Sequence, residues 1–451
     1  MAVSNKKAFD VSRLVYLSLW SLQHRGQDSS GIASFDGNQL QTHKKSGLVS
    51  RVYSPSSLAK LKGRVAIGHN RYSTSGGNDS ALNQPYDYSS SNFAFAHNGN
   101  LPYTDKLTDY AQRKNLDTGG LNDSGLMGLV LNHELTRTES IPEAVRRCWP
   151  LFTGAFCCVG LYNKRAFAFR DNHGIRPLVL GRTDNGYIVA SETVALDIIG
   201  ADFIRDVKPG ELIIIWDNQF ESIQISEGQQ TIDAFEFIYL ARPDSRIANR
   251  SVYTTRYRAG QSLARASPVE ADVIIPIPDS GIPAATGYSH QSGIPVEHGL
   301  LKNRYIGRTF IEPEKIRRSS IELKFNVIVE IVAGKDIVLV DDSIVRGNTL
   351  KYVTGLLRSY GAKQIHVRIA SPPILHPDFY GIDTPEGNNL IASRYGVVEV
   401  GRQVGADSLA YLPLPDLVRA IGLPRSQLCL SSFDGHYPIE VPYQGGRDEN
   451  D

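Results

Sequence analysis

The stretch VLVDDSIVRGNT, Val338 to Thr349, constrains the fold more than any other part of this chain. The apolar run Ile337 to Val340 reads as a buried parallel strand, because strands covered on both faces are continuously apolar rather than alternating. Two carboxylates, Asp341 and Asp342, stand at its carboxyl end, and a polar, Gly-containing turn leads into a helical pattern from Leu350 to Tyr360. Open α/β sheets bind ligands just outside such strand ends. The backbone of Ser343, Ile344, Val345, Arg346, Gly347, Asn348 and Thr349 is placed to cradle a phosphate at a helix N-terminus. Paired aspartates suit ribose hydroxyls and Mg²⁺, which takes one or two carboxylates together with substrate phosphates. An acidic surface turn is the bland alternative. An apolar strand, an acid pair and a phosphate-type turn in immediate succession argue against it.

This combination resembles the phosphoribosyl pyrophosphate loop of type I phosphoribosyltransferases. Two further segments agree with it. PIPDSGIPAA, Pro276 to Ala285, follows an apolar strand and opens a helix, so Asp279 and Ser280 are candidates for a pyrophosphate loop, with Ser280 joining Asp341 and Asp342 as a metal ligand. KNRYIGRTF carries Lys302, Arg304, Tyr305 and Arg308 in a segment that could fold over a polyanion and neutralise departing pyrophosphate. For a basic run alone, a solvated loop would be the better interpretation; beside two anion loops, the binding role is favoured. Displacing pyrophosphate at C1 of the ribose needs cations on the leaving group and an oriented nucleophile. Fold alone leaves that nucleophile open between a nucleobase and ammonia.

With 451 residues the chain can hold two or three domains with real cores. Lys+Arg 48 against Asp+Glu 47 gives net charge +1, which points to neither nucleic acid nor an anionic membrane. No apolar stretch approaches the ~20 residues of a membrane span, and no secretory pattern is present, so a cytoplasmic protein is expected. The four cysteines do not form a disulfide framework; Cys157 and Cys158 are strand neighbours whose side chains should face opposite ways. Short strand patterns separated by turns fill the first half, with helical patterns at Val11 to Gln23, Asn122 to Glu134 and Ile141 to Arg147. Past the polar stretch Ser226 to Asp233 the rhythm becomes strand–loop–helix, the mark of βαβ units around a parallel sheet. The boundaries expected are 1–228, 229–440 and a disordered tail, 441–451.

The first half is family-specific. LQHRGQDSSGIASFDG, GHNRYSTSGG, NQPY and AHNGNL resemble the glutaminase domain of class II, N-terminal-nucleophile amidotransferases. FRDNHGIRPLVLGR, SETVALD, VKPGELI and ARPDS narrow the resemblance to the amidophosphoribosyltransferase family, over about Leu22 to Pro438. The resemblance implies an α+β, αββα glutaminase-like domain followed by an α/β type I phosphoribosyltransferase domain. It implies an enzyme that forms 5-phosphoribosylamine from phosphoribosyl pyrophosphate and glutamine or ammonia, at the first step of purine biosynthesis. A glutaminase-deficient regulatory pseudoenzyme is the alternative. By the same resemblance Arg71 would hold the glutamine carboxylate, Asp123 would pair with its ammonium, and Arg25 would shape the pocket. Asn98 and the Gly99 N–H would form the oxyanion hole. Purine nucleotides are the implied inhibitors and a homo-oligomer the implied assembly.

The chain departs from the family pattern in two places. The family's nucleophile is a cysteine that opens an apolar first strand, whereas this sequence opens MAVSNKKAFD and its first cysteine is Cys148. The first strand is therefore expected to be missing, and the glutaminase half inactive as encoded. One branch of the family binds a four-iron, four-sulfur cluster through four cysteines; the matching positions here are Asp233, Asp378, Cys429 and Ser432. No iron–sulfur cluster is predicted, since ligation needs thiolates, and Mg²⁺ is the one cofactor expected.

Overall fold

A computed structural model describes residues 1–6, 11–72, 80–303, 325–382, 384 and 389–442. Strands fill the first half, and side chains alternate in direction so that the central ones bury both faces. They form two antiparallel sheets. One has seven strands in the order Asp202–Asp206, Val179–Thr183, Gly186–Ala190, Ala2–Asn5, Val65–Arg71, Ser29–Phe35, Leu40–Ser46. The other has six, Gln219–Gln224, Glu211–Trp216, Arg165–Arg170, Thr153–Tyr162, Phe93–Tyr103 and Tyr86–Tyr88.

The sheets meet through Ile67, Leu180, Val189, Leu161, Ala168 and Ile213. Helix Val11–Ser21 covers the outer face of the seven-stranded sheet with Val11, Val15 and Leu19. Helices Asp123–Thr138 and Ile141–Cys148 cover the six-stranded sheet, where Met127 and Val130 pack among Phe93, Phe95, Phe167 and Phe169. The result is the αββα layering the resemblance implies. Period-two alternation also separates the two neighbouring cysteines: Cys157 faces the layer between the sheets, Cys158 the helices.

The expectation of a missing first strand is corrected. Ala2–Asn5 forms a buried strand inside the seven-stranded sheet, antiparallel to both Gly186–Ala190 and Val65–Arg71. Pairing there is made by backbone groups, which must find partners in a buried sheet whatever side chains they carry. Ala2, Val3 and Ser4 are small enough to fit at 0% exposure. The Met1 amine donates to the Gly68 carbonyl at 2.8 Å, and burial holds it down at about 5.

The second half is built on four parallel strands, neighbours in chain order: Val273–Pro276, Asp336–Asp341, Gln364–Ile369 and Ser408–Tyr411. Val338 and Val340 face helices Val252–Ala266 and Ile282–Ser292, while Ile337 and Leu339 face helices Asn348–Ser359 and Val397–Gln403. Of the polar stretch at the expected boundary, Ile232–Asp233 forms a short parallel pair with Leu428–Cys429. The tail from 443 onward lies outside the described residues. Among the described residues no helix is long and apolar enough to cross a membrane.

Candidate functional site

Asp341 is the last residue of its strand, and the register Val340↔Pro276 brings the loop after Pro276 to the same carboxyl edge. Ile277 N–H donates to the Val340 carbonyl at 2.8 Å, fastening that loop to the sheet. Asp342 is 7% exposed; its N–H donates to Asp341 Oδ1 at 2.9 Å, and Ser343 Oγ donates to Asp342 Oδ1 at 2.6 Å. Burial pushes the Asp342 carboxyl up from its ordinary value, opposed by hydrogen bonds from Ser280 and Ser343 and by the charge of Arg256. The acid pair and Ser280 are thus brought together as the sequence suggests.

Gly347, at φ +76°, turns the chain into helix Asn348–Ser359, and Arg346, Asn348 and Thr349 are exposed around that turn. Ile344 is buried in the core and Val345 holds Ile391 N–H at 3.0 Å, so both offer a ligand backbone atoms rather than side chains. Asp279 Oδ2 and Lys302 Nζ are paired at 2.7 Å, which joins two loops that the sequence places separately. Lys302 is in register with Phe325. Arg304, Tyr305 and Arg308 lie outside the described residues.

The second cluster is in the first half. Arg71 ends strand Val65–Arg71 and is 4% exposed. Asn98 and Gly99 sit on strand Phe93–Tyr103 opposite Cys157 and Phe156. Gly99 has φ +146°, and a Cβ there would lie 2.0 Å from the Ala155 carbonyl, so only glycine fits. Asp123 opens helix Asp123–Thr138, and its Oδ2 accepts from Leu101 N–H at 3.2 Å, tying the helix start to the strand two residues beyond Gly99. His97 Nδ1 stands 3.6 Å from Asp123 Oδ2 and 3.0 Å from Ser124 Oγ, and burial holds its ring below the ordinary histidine range.

Arg25 is placed differently from expectation. Gly26 packs on the Arg71 backbone, but the Arg25 guanidinium is held by Glu192 and by Glu236, with Nη2 to Glu236 Oε2 at 2.7 Å. Both carboxylates are fully buried, and three of the five guanidinium N–H donors are spent on them rather than on a substrate. Glu192 also meets His24 Nε2 and Ser245 Oγ, each at 2.5 Å, and Glu236 meets Arg176 Nη1 at 3.4 Å. Sequence reasoning missed this network. Glu192 belongs to the SETVALD motif, but nothing in spacing pairs it with Arg25.

At the positions matching the family's cluster ligands, Asp233 and Cys429 are register partners, and Asp233 Oδ2 stands 3.4 Å from Arg176 Nη1. Burial, with each other's charge, pushes Asp233 up, and burial does the same to Asp378. The loop after Asp378 reaches the first half, where Asn100 Nδ2 donates to the Phe379 carbonyl at 2.9 Å.

Family models match in two places: a phosphoribosyl transferase domain over residues 259–371 and a glutamine amidotransferase domain over residues 69–197. Amidophosphoribosyltransferase of Mycobacterium tuberculosis strain H37Rv is 44% identical over 98% of this chain and 86% of its own length. The protein of that name from Methanothermobacter thermautotrophicus is 42% identical over 97% of this chain and 94% of its own. Among solved structures, glutamine phosphoribosylpyrophosphate amidotransferase from B. subtilis, complexed with ADP and GMP, superposes with TM-score 0.90 at 37% identity, covering 99% of this chain and 98% of that one.

Proposed function

Since the chain belongs to the amidophosphoribosyltransferase family, we propose that its second half transfers nitrogen to phosphoribosyl pyrophosphate, forming 5-phosphoribosylamine for purine biosynthesis. The observation that carries this is the meeting of Asp341 and Asp342 with the Asp279–Ser280 loop at one carboxyl edge of the parallel sheet. Asp341 and Asp342 take the ribose hydroxyls, and the turn from Ser343 to Thr349 takes the 5-phosphate on its backbone N–H groups. Asp279, Ser280 and Lys302 face the pyrophosphate, and Arg304, Tyr305 and Arg308 are assigned to cover it on sequence grounds. As the C1–N bond forms, the C1–O bond breaks, pyrophosphate leaves with the electron pair, and the nitrogen sheds a proton. Positioning and cations on the leaving group supply the rate.

Ser280, Asp341 and Asp342 would hold Mg²⁺. The donors are all hard oxygens, and a carboxyl that burial has pushed up is one a nearby cation would ionise. When bound, the ion would neutralise charge on the pyrophosphate.

On the glutamine side Arg71 holds the carboxylate, Asp123 the ammonium, and Asn98 with Gly99 the oxyanion. All four cysteines are buried, and burial pushes their thiols up, Cys157 to about 12. A thiol rather than a thiolate is a poor nucleophile, so the assigned nitrogen donor for this polypeptide is ammonia. The ADP and GMP in the B. subtilis structure support purine nucleotides as ligands here, and a homo-oligomer is assigned on family grounds.

Pyrophosphate release from phosphoribosyl pyrophosphate and Mg²⁺ tests this, with ammonium chloride and glutamine as alternative donors. Turnover with ammonium alone is the expected result. Turnover with glutamine would overturn the assignment for the first half, and silence from folded protein with both would overturn the transferase.

A further inference from the structure

Helices Asn348–Ser359 and Val397–Gln403 border a groove of about 440 Å³, within the size range of small-molecule sites. None of its lining residues belongs to the acid pair, the Asp279–Ser280 loop or the turn Ser343–Thr349. Its floor is Thr354, 1% exposed, whose Oγ1 donates to the Val404 carbonyl and pins the first helix to the end of the second. Lys351, Gly355 and Arg358 line one wall, at the spacing of three and four residues that shares a helix face. Glu399, Arg402 and Gln403 line the other by the same rule.

Three cations and one carboxylate line this groove. The Lys351 ammonium is exposed, with no hydrogen-bond or ionic partner among the described residues. Arg358 is fixed through its terminal nitrogens, which go to Asp407 and, at 2.9 Å, to the Lys363 carbonyl. Arg402 pairs with Glu399, and its side chain is 73% exposed. Such an exposed pair contributes little, so Arg402 can exchange Glu399 for an incoming anion at small cost. Gln403 Nε2 donates to Glu399 Oε1 at 3.0 Å and stays as the carboxylate's partner when the arginine leaves. Gly355 is a second sign. It stands inside a twelve-residue helix, where glycine is less stable than alanine. Packing does not demand it, since a Cβ there would meet nothing within 4 Å. Its effect is a bare stretch of backbone between two cations, open to close approach by a ligand.

We propose that this groove binds a small organic oligophosphate, held directly by Lys351 and Arg402 with Arg358 adding its charge. A free ammonium suits a phosphate as a point charge, and a guanidinium suits it as a two-pronged donor. Three cations around one groove call for more than one phosphate group, which a nucleoside diphosphate or a sugar bisphosphate both carry.

The test is protection of Lys351 from a lysine label, read peptide by peptide so that other phosphate-binding lysines do not interfere. Pyridoxal 5′-phosphate condenses with the amine, losing water to form an imine, and borohydride reduces the imine to a stable secondary amine that mass spectrometry locates. Inorganic tripolyphosphate should slow labelling of Lys351, and sulfate at matched ionic strength should not. R402Q should raise the half-protecting concentration about tenfold, the size of one charge-assisted contact. G355L fills the bare wall without meeting other atoms of the protein at its Cβ, so it should fold, keep ammonium-driven turnover and lose the protection. ADP and fructose 1,6-bisphosphate then separate the two sources, and the one that protects at the lower concentration names the class. Equal protection by sulfate would reduce the effect to screening and overturn the site. Protection that survives both R402Q and G355L, or that neither organic phosphate gives, would overturn it too.

Discussion

Arg25 and Glu236, 211 residues apart in sequence, meet in a buried ion pair at the seam between the two halves. Burial works against the Arg25 charge, and Glu192 and Glu236 together overturn that effect and raise its pKa. The pair's net worth is small, because desolvation offsets most of the attraction, but breaking it from one side is expensive. R25M leaves two fully buried carboxylates facing each other's field, so it should cost about 3–5 kcal/mol. E236Q leaves Arg25 its bond to Glu192 and should cost less. Urea unfolding of the two variants beside the parent checks both the size and the order.

Gly99 makes the second prediction. At φ +146°, with the Ala155 carbonyl 2.0 Å from where a Cβ would stand, G99A must shift the strand or strain it. Strain of that kind costs on the order of 1–3 kcal/mol. A Cβ on Gly381 would lie 2.9 Å from the Gly99 carbonyl carbon, so the two backbones are closely apposed and the disturbance reaches the loop after Asp378. G99A should melt at a lower temperature and lose glutamine binding, while ammonium-driven turnover at the distant acid pair persists. Equal loss of both would show that the two sites are not separable in this way.

The parts of this molecule legible in the sequence are those whose signal is local. VLVDDSIVRGNT folds as it reads because strand, acid pair and turn are consecutive, and the opposite facing of Cys157 and Cys158 follows from period-two geometry alone. The strand Ala2–Asn5 was not legible. It is four residues long, partly polar, and specified by the two strands that flank it rather than by its own pattern. Arg25 was misplaced for a related reason: its motif marks the neighbourhood of Arg71, but its partners come from 167 and 211 residues away.

Lys302 and Asp279 give a prediction in which stability and binding part company. Their 2.7 Å pair is well exposed, 33% and 68% by side chain, and exposed pairs contribute only about 0–1 kcal/mol. K302Q should therefore leave the melting temperature nearly unchanged. Its KM for phosphoribosyl pyrophosphate should rise, because the cation proposed to neutralise pyrophosphate is gone. A variant that melts early with unchanged KM would mean the pair is structural.

The pH dependence of folding supplies the last prediction. Burial, followed by the charge of the N-terminal amine and then of His97, lowers His69 from the ordinary histidine value to about 3, and its Nδ1 is buried with no partner among the described residues. The unfolded chain binds this proton near pH 6.5 and the folded chain does not. Stability from His69 is thus fully present above pH ~6.5 and is lost as pH falls toward 3, by up to about 1.4 kcal/mol per unit. Asp233 and Asp378, whose carboxyls are raised, titrate in the opposite sense: their folded forms hold protons that the unfolded chain releases. Total stability between pH 7.5 and 5.5 therefore mixes the two, and the difference between parent and H69Q isolates the histidine. The parent should lose more stability than H69Q on acidification across that window. Parallel curves would mean that His69 takes up its proton in the folded state at no cost.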